Sequence, residues 1–404
     1  MSPPIRTLLF STLYPSSARP VHGIFVETRL RELLASRQVQ TKVVAPVPWF
    51  PSTDPRHGDY ARMAATPRRE TRHGIDVLHP RYLVLPKVGM TIAPFLLAAA
   101  ALGPIRRLIA EGFDFDVIDA HYYYPDGVAA AMLARHFGKP LAITARGTDL
   151  NLIPEHALPR RMMRWAAGQA EASIGVCAAL VDVLRGWGVA EERLHVFRNG
   201  VDLLRFRPLP QDASRQSLGI EGAPVLLSVG HLIERKGHHL AIAAMPALLR
   251  QHPQARLLVV GEGEERGRLQ AQAQALGVAE RVTLVGAVPN DRLAAWYSAA
   301  DALILASSRE GWANVLLEAM ACGTPVVATR IWGTPEVVAE DAVGLLVERR
   351  DAEALAGSVL QLLAAPRDRA HVRRYAEGFG WAQTTQAQLD LFGRLVAAQP
   401  GPVR

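Results

Sequence analysis

Short apolar runs alternate with longer amphipathic segments along the whole chain, and this alternation restarts once near the middle. In the first half, strands are predicted at 6–11, 41–45, 75–78, 116–120, 141–144, 172–176 and 194–197, with a first helix from about Gly23 to Ser36. In the second half, strands are predicted at 225–229, 256–260, 282–285, 302–305 and 325–328. Strands that alternate with helices predict an α/β fold with parallel sheets covered on both faces.

Two doubly wound domains therefore account for the chain of 404 residues. The segment 205–222 follows the turn signal Asn199-Gly200-Val201-Asp202 and is predicted to link them, whereas 47–72 is predicted to be a loop. We expect domains at 1–205 and 206–381. A last helix from about Trp381 to Ala398 belongs to the segment 382–404, which we assign to the first domain.

The positive charge of the chain lies in its first half. The formal net charge is +7, and residues 1–205 hold 25 Lys+Arg against 18 Asp+Glu. No interleaved aromatics or known motif favour nucleic acid as a partner. Attraction to anionic lipid or to a lipid-diphosphate acceptor fits this charge, and general solubility is the alternative.

Neither the N-terminal residues nor the composition suggests a secreted or membrane-spanning protein. The N-terminus lacks a signal-peptide pattern, and Cys177 and Cys322 are predicted to be buried thiols. The apolar run Ile92 to Gly103 is about half the length of a membrane span. We expect a cytoplasmic protein, either soluble or peripheral at the inner face of the cytoplasmic membrane.

Glu310 and Glu318 are the most informative polar residues. Glu310 follows the predicted strand 302–305, and Gly311 is predicted to open a helix that carries Glu318 and ends at Cys322-Gly323. Glu310 then lies at the carboxyl edge of a strand, where open α/β sheets bind ligands. Two glutamates at this spacing can equally be solvated surface residues.

The surrounding residues resemble the donor site of retaining GT-B glycosyltransferases of glycosyltransferase family 4. The positions that match are Glu310, Gly311, Asn314, Glu318, Ala319, Gly323, Pro325 and Val326, with Trp312 in place of the more usual Phe. The resemblance implies that Glu310 faces the sugar and phosphate and that Glu318 accepts hydrogen bonds from the ribose. It also places Gly311, Trp312, Ala313, Asn314 and Val315 beside the donor.

The segment from Gly230 to Gly237 resembles the diphosphate-binding part of the same family. Lys236 matches, whereas His231 stands where an arginine is usual, so either Arg235 supplies the second charge or His231 is a weaker donor. Lys236 is also one of only four lysines in the chain, although a solvated loop lysine is the ordinary alternative. Gly230 allows the backbone to approach a phosphate.

Two further loops resemble the family's nucleotide-binding loops. Gly261 and Gly263 match a Gly-x-Gly loop that borders the nucleotide, and Val288 lies in a segment whose backbone contacts the base. Neither loop has a side chain that would select one base.

In the first half, the resemblance implies a His near the reacting sugar at His121. Arg146 stands where the family usually has a His, and with Asp149 it would line the acceptor side. Gly23 occupies the place of a glycine loop at the start of the first helix, and Asn199 lies in the turn that resembles the family's Asn-Gly-Val-Asp. We assign these residues to the acceptor side, and His121 to the catalytic group with Glu310 and Lys236.

No metal or other cofactor is expected. Asp114-Phe115-Asp116 has the Asp-x-Asp spacing of a metal motif found in another glycosyltransferase fold, but it precedes its predicted strand. Both carboxylates then lie at the edge opposite the expected site.

Together these features predict a GT-B protein whose two domains face a central cleft and whose last helix crosses back to the first domain. The predicted activity is metal-independent, retaining hexosyl transfer from a nucleoside diphosphate sugar, with UDP favoured, to a lipid-linked or cell-surface glycan intermediate. A soluble small-molecule acceptor is the alternative. A phosphorylase would need a cofactor-binding lysine, and lysine is scarce; a non-catalytic binding module would not need Glu310, Glu318 and Lys236 together.

Overall fold

The computed structural model describes residues 3–84 and 89–399, and the chain forms two compact units. The first unit comprises Met1–Arg198 with Ala382–Arg404, and the second comprises Asn199–Trp381. The boundary after Arg198 precedes the one expected after residue 205, so the turn that begins at Asn199 belongs to the second unit.

Parallel strands build the first unit. Its strands are β1 (Ile5–Phe10), β2 (Val39–Val44), β3 (Val47–Pro48), β4 (Arg69–Arg72), β5 (Ile75–Leu78), β6 (Arg81–Tyr82), β7 (Val117–His121), β8 (Leu141–Ala145), β9 (Ala172–Gly175) and β10 (Leu194–Val196). Within the described residues the main sheet has the order β10-β9-β8-β7-β1-β2-β5-β4, and only the β4–β5 pair is antiparallel. Strands β3 and β6 form a separate parallel pair. Because β1 lies between β2 and β7, the strand order reverses there, and this is the point where such sheets bind ligands.

The second unit repeats this plan with six parallel strands in its described residues. They are β11 (Val225–Val229), β12 (Arg256–Val260), β13 (Val282–Gly286), β14 (Ala302–Leu305), β15 (Val326–Thr329) and β16 (Gly344–Val347). Their order is β13-β12-β11-β14-β15-β16. The order reverses between β11 and β14, which puts the second switch point at the carboxyl ends of these two strands.

Helices cover both sheets. Those of the first unit are α1 (Ile24–Ala35), α2 (Asp59–Ala65), α3 (Gly89–Ala110), α4 (Val128–Phe137), α5 (Thr148–Asn151), α6 (Ala157–Gln169) and α7 (Ala178–Gly186). Those of the second unit are α8 (Gln211–Ser217), α9 (His238–Gln251), α10 (Arg266–Ala275), α11 (Leu293–Ala299), α12 (Asn314–Ala321), α13 (Thr334–Val337), α14 (Ala352–Ala364) and α15 (Arg369–Glu377). Strands β7, β8, β11 and β14 are buried at every residue, as expected for strands covered on both faces.

The last helix, α16 (Trp381–Ala397), packs on the first unit, as predicted. Its apolar residues Leu389, Phe392 and Leu395 join a core that also contains Val117 of β7 and Ile174 of β9. Burial of this apolar face explains why the end of the chain returns to the first unit.

Several predicted elements were wrong. The segment 47–72 is not a loop, because it contains β3, α2 and β4, and the expected linker 205–222 contains α8. Helix α12 begins at Asn314 rather than at Gly311, so Glu310 lies in the loop before the helix. The apolar run 92–103 is part of the longer helix α3, which includes both Pro94 and Pro104.

Candidate functional site

The switch point of the second unit brings Glu310 and Lys236 together. Lys236 follows β11 and Glu310 follows β14, and the Lys236 Nζ donates a hydrogen bond to Glu310 Oε1 at 2.6 Å. The Ser307 hydroxyl donates to the same oxygen at 2.7 Å. Arg235 Nη1 lies 3.7 Å from Glu310 Oε2 and donates to the Arg309 carbonyl at 2.7 Å. Two cations and one carboxylate therefore meet at the edge where a ligand is expected.

The charge state of Glu310 follows from these contacts. Burial alone would raise the pKa of this carboxyl, but the Lys236 ammonium, with Arg235 and the Ser307 hydroxyl, holds the pKa below its usual value. Glu310 is therefore ionised at neutral pH although it is buried. An ammonium has three N–H donors, so Lys236 can bind this carboxylate and a phosphate oxygen together.

Glu318 lies in the second turn of α12, where a buried tyrosine fixes it. The Tyr297 hydroxyl donates to Glu318 Oε2 at 2.7 Å. Burial raises the pKa of the Glu318 carboxyl, and this hydrogen bond acts in the opposite direction. Glu318 is partly exposed, and in the part of the chain that the structure describes its Oε1 has no hydrogen-bond partner. That oxygen can accept hydrogen bonds from a ligand.

Three glycine-containing loops lie side by side at this edge. The Gly230 amide donates to the Val260 carbonyl at 2.9 Å, and the Gly261 amide donates to the Gly286 carbonyl at 2.8 Å. A Cβ on Gly261 would lie 1.9 Å from the Gly230 carbonyl oxygen, and its φ of +146° is one that other residues rarely adopt. Gly263 closes the same loop against the Leu232 backbone. Only glycine allows these loops to approach so closely.

The residues between the two glutamates are mostly buried. Gly311, Trp312 and Ala313 are buried, and the Trp312 ring lies 6.2 Å from the Phe379 ring. Asn314 and Val315 begin α12 and are partly exposed. Residues 311–313 are therefore packed inside the protein, and the carboxylates of Glu310 and Glu318 lie on either side of this segment in the sequence.

Asn199 differs from its predicted placement on the acceptor side. It belongs to the second unit, and its Nδ2 donates to Asn314 Oδ1 at 3.3 Å. The next residue, Gly200, fits against Trp381, where a Cβ would lie 2.7 Å from the ring. Asn199 therefore lies beside the predicted donor residues.

His231 and Val288 lie in two loops that follow strands of the second unit, β11 and β13. The His231 side chain is exposed, and its carbonyl accepts a hydrogen bond from His238 Nε2 at 3.2 Å. Val288 lies in the loop after β13, an edge strand. Of the two proposed substitutes for the missing arginine, Arg235 is the one within reach of Glu310.

At the switch point of the first unit, His121 is buried and bonded on both ring nitrogens. Its Nε2 lies 3.2 Å from Asp119 Oδ2, and its Nδ1 lies 2.5 Å from Arg146 Nη2. Because a carboxylate accepts and a guanidinium donates, we assign the ring proton to Nε2. Burial lowers the pKa of His121 to about 4, so the ring is neutral. A neutral ring that donates to Asp119 through Nε2 and accepts from Arg146 at Nδ1 holds these neighbours in place, and neither ring nitrogen is open to a substrate in this arrangement.

A glutamine of the last helix extends this network. Gln388 Nε2 donates to Asp119 Oδ2 at 3.1 Å, and Gln388 Oε1 accepts from Arg29 Nε at 2.9 Å. Burial lowers the pKa of Arg29 to about 10 and that of Arg146 to about 9. The chain of hydrogen bonds thus connects α1 and α16 to His121 and Arg146.

The start of α1 lies near Arg146, and Asp149 holds the loop that carries this arginine. Gly23 precedes α1 with a φ of +67°, and the Arg146 guanidinium lies 5.4 Å from the centre of the nearby Phe25 ring. Asp149 is fully buried and accepts hydrogen bonds from the amides of Tyr123, Arg146 and Gly147. Of the predicted acceptor-side residues, Arg146 thus lies beside the start of α1, which Gly23 precedes, whereas the Asp149 carboxylate accepts hydrogen bonds from backbone amides.

Four residues that hold the predicted site residues in place are not predicted from the sequence: Ser307, Arg29, Gln388 and Tyr297. Ser307 follows a strand within the same segment as Glu310, and its position at a carboxyl strand end was a usable signal. Arg29 and Gln388 each interrupt an apolar helix face, which marks a polar residue directed into the core. Tyr297 carried no distinguishing pattern.

The two carboxylates of the Asp-x-Asp sequence bind groups of the first unit. Asp116 Oδ2 accepts from the Arg6 amide at 2.7 Å, and Asp114 pairs with Lys139 at 2.7 Å. Both precede β7, as predicted. Among residues 3–84 and 89–399, no group of three or more His, Cys, Asp or Glu side chains is arranged to hold a metal ion. The expectation of no metal stays a prediction.

Sequence comparisons identify relatives of both halves. The family model "Glycosyltransferase Family 4" matches residues 29–205, and "Glycosyl transferases group 1" matches residues 210–379. D-inositol 3-phosphate glycosyltransferase of Segniliparus rotundus is 33% identical over 315 residues, which are 73% of this chain and 70% of the relative. The protein of the same name from Xylanimonas cellulosilytica is 32% identical over 366 residues, which are 83% and 86% of the two chains.

Solved structures share the fold. Sucrose-phosphate synthase from Thermosynechococcus elongatus has a TM-score of 0.80 at 23% identity, covering 98% of this chain and 100% of that one. Anabaena HepE in complex with UDP has a TM-score of 0.71 at 21% identity, with coverages of 97% and 100%. These likenesses confirm the predicted GT-B fold.

Proposed function

The chain belongs to the glycosyltransferases of family 4, and we propose that it transfers a hexose from a UDP-hexose to an acceptor hydroxyl, with release of UDP and retention of the anomeric configuration. One observation carries the proposal, and it is the arrangement of two carboxylates and two cations at the switch point of the second unit. Lys236, with Arg235 nearby, keeps Glu310 ionised, and in the second turn of α12 Glu318 has a carboxylate oxygen that can accept hydrogen bonds from a ligand. A nucleoside diphosphate sugar has matching groups for all of them.

In the proposed reaction, each side chain has one role. Lys236 and Arg235 neutralise the diphosphate, which eases cleavage of the bond between the sugar C1 and the phosphate oxygen. The acceptor oxygen forms its bond to C1 on the same face, and the leaving phosphate takes the acceptor proton. Glu310 holds the sugar and stabilises the positive charge that develops on it, and Glu318 accepts hydrogen bonds from the ribose.

The choice of UDP has the support of a structural relative. Anabaena HepE has been solved with UDP and with UDP-glucose. No metal takes part in the proposed reaction, because Lys236 and Arg235 supply the charge that a cation would otherwise bring to the diphosphate.

For the acceptor we propose a lipid-linked or cell-surface glycan intermediate, at the cytoplasmic face of the membrane. The excess of positive charge in residues 1–205 supports this acceptor class. A small phosphorylated polyol is the second candidate, because several relatives carry the name D-inositol 3-phosphate glycosyltransferase. Both acceptors contain phosphate, and both could use the guanidinium of Arg146.

The test is an activity measurement with UDP-, GDP- and ADP-glucose, in the presence of a metal chelator. Each donor is offered with a lipid diphosphate-linked sugar or with inositol 3-phosphate, and nucleoside diphosphate release and product are followed. We expect release from the UDP donor, a product with the lipid-linked acceptor, and an unchanged anomeric configuration by NMR. Transfer to inositol 3-phosphate but not to the lipid-linked sugar would contradict the lipid-linked acceptor and support the small phosphorylated polyol. An inverted product would contradict the mechanism.

A further inference from the structure

Helix α3 is strongly apolar, although most of its apolar window is not buried in the protein. The stretch Met90–Ala110 is the one helix, among the described residues, that is long and apolar enough to cross a membrane by length and composition. Only 28% of its most apolar window is buried, whereas a core helix of this composition would be mostly buried. Phe95 is 51% exposed and Met90 is 49% exposed. The helix therefore presents an apolar face that the first unit leaves uncovered.

The helix cannot span a bilayer in this fold, because its other face belongs to the core. Leu97, Ala101, Ile105 and Leu108 are buried, and α3 packs against α4 and α6. A helix with one buried and one exposed apolar face, fixed to a folded unit, can only lie along an apolar surface.

Neighbouring elements extend the exposed face. Helix α3 contacts β6, and β6 pairs with β3, where the Trp49 amide donates to the Tyr82 carbonyl at 2.7 Å. The Phe50 ring next to Trp49 lies 5.2 Å from the Tyr60 ring of α2. We call the exposed apolar side chains of these elements the α3 surface; they are Trp49, Tyr60, Leu83, Val84, Met90 and Phe95.

The part of the chain that carries the α3 surface has a positive net charge. Residues 1–110 hold 15 Lys+Arg and 6 Asp+Glu, an excess larger than that of the whole chain. The exposed arginines include Arg106 and Arg107 near the end of α3. Arg56 and Arg62, which flank Tyr60, are exposed as well, but each forms an ion pair with a nearby aspartate, at 2.7 Å and 3.2 Å. Exposed Trp and Tyr side chains with arginines around them are typical of surfaces that lie at the boundary between lipid headgroups and acyl chains.

We propose that the α3 surface docks on an anionic lipid bilayer, with Phe95, Met90 and Trp49 in the headgroup boundary and the arginines on lipid phosphates. A second copy of the chain is a poorer occupant. A two-fold contact would bring two surfaces of the same positive charge together. A lipid surface supplies the apolar layer and the negative charge at once.

The docking deepens the proposed function and, as far as the acceptor is concerned, rests on it. A first unit held on the membrane would meet acceptors that are anchored there, so it favours the lipid-linked class over a soluble polyol. Vesicle binding itself requires no nucleotide and no transfer, so the two proposals can fail separately.

The experiment is cosedimentation of the full chain with vesicles of phosphatidylcholine alone or with added phosphatidylglycerol. We expect binding to the anionic vesicles that weakens with salt. Phe95→Ser should weaken it about tenfold, because an exposed apolar anchor is lost. The double variant Arg106→Gln/Arg107→Gln should weaken it about fivefold per arginine. Leu276→Ser, which removes an exposed leucine of the second unit, is the matched control and should bind as wild type does.

Thermal unfolding and calorimetric binding of UDP accompany each variant, so that folding and the donor site are checked independently. Normal UDP binding without vesicle binding would overturn the docking proposal and leave the proposed function intact. Vesicle binding that Phe95→Ser does not weaken would place the contact elsewhere and overturn it as well. A wild-type dimer that Phe95→Ser converts to a monomer, without vesicle binding, would show that a second copy covers this surface.

Discussion

Lys236 and Ser307 both donate to one oxygen of Glu310, and this arrangement defines the site at the scale of single residues. The carboxylate stays ionised in a buried position because a cation lies 2.6 Å away. The same ammonium has further donors for phosphate. In the proposed reaction, negative charge near the sugar and positive charge near the leaving group are thus set before the ligand binds.

Glu310→Gln should lower turnover while leaving nucleotide affinity within a few-fold of wild type. The amide can keep the contacts with Lys236 and Ser307 but loses the negative charge opposite the developing positive charge. We expect kcat to fall by about a hundredfold, measured as UDP release. Glu353→Gln, an exposed glutamate of α14, is the control. A wild-type rate in the Glu310 variant would remove this residue from the mechanism.

Tyr297→Phe should weaken UDP binding about tenfold, since it removes the hydroxyl that fixes Glu318. That hydrogen bond lowers the pKa of Glu318 against the effect of burial, so its loss should raise the pKa further. The pH at which UDP binding is lost on acidification should therefore move upward. Calorimetric titrations across pH measure this. Tyr375→Phe, which removes another hydroxyl of the second unit, should leave the profile unchanged; a profile unchanged by Tyr297→Phe as well would refute the positioning role.

Asp126→Asn should change how stability depends on pH. Asp126 is fully buried and accepts hydrogen bonds from the Thr12 amide and hydroxyl, each at 2.9 Å. Burial raises its pKa to about 8, so its contribution to stability is complete below the unfolded pKa of about 3.9 and is lost as the pH rises through about 8.

An asparagine cannot ionise, so the Tm of the Asp126 variant minus that of wild type should increase between pH 5 and pH 9. Asp54→Asn, at an exposed carboxyl, serves as control and should follow the wild-type curve. Parallel curves for the Asp126 variant and wild type would show that this carboxyl is not neutral in the folded protein.

At the scale of elements, the site depends on how closely the loops after β11, β12 and β13 approach one another. The backbone bonds from Gly230 to Val260 and from Gly261 to Gly286 connect these loops in series. The loops carry the amides that would border the nucleotide, so their spacing sets the shape of the donor site.

Gly261→Ala should destabilise the second unit by about 1–3 kcal/mol, because the added methyl group would overlap the Gly230 carbonyl. UDP binding should weaken with it. Urea unfolding measures the first effect. Gly267→Ala in α10 makes the same chemical change where no atom lies within 4 Å, and it should leave stability unchanged or raise it by up to about 1 kcal/mol. Equal stability of both variants would contradict the close approach.

The sequence predicted elements where periodicity is strong and failed where tertiary contacts decide. Strands β5, β11, β12 and β14 have the predicted bounds, because their buried and mainly apolar residues, alternating in β5 and continuous in the other three after Arg256, determine them locally. Helix α2 was missed within a segment rich in Pro and Arg. The start of α12 was placed at Gly311, since nothing in the sequence shows that the chain first passes through a buried loop.

The candidate site, like the secondary structure, could be predicted only in part from the sequence. Glu310 is predicted from its position at a strand end and Lys236 from the resemblance of its segment to the family's diphosphate-binding segment, and the structure brings the two together. The network around His121 was not predictable, because Arg29, Asp119 and Gln388 come from distant parts of the chain. Contacts between such distant residues have no local pattern.

At the scale of the whole molecule, each unit has a switch point with its own set of charged residues. The second unit holds a carboxylate and two cations, and the first holds a buried network of His121, Arg146 and Asp119. The positive charge lies with the first unit together with the exposed apolar face of α3, whereas the second unit carries the features that match a nucleotide sugar. The proposed donor site and the proposed membrane contact are thus assigned to different units.

The donor site at Glu310 and Glu318 is best tested by calorimetric binding of UDP, GDP and ADP, without metal, to wild type and to Glu318→Ala. We predict that UDP binds and that the mutation weakens binding by about 1.5–3 kcal/mol, the range for hydrogen bonds to a charged group. UDP affinity that the mutation leaves unchanged, or no binding of any of the three nucleotides, would contradict the placement of the donor site at Glu310 and Glu318.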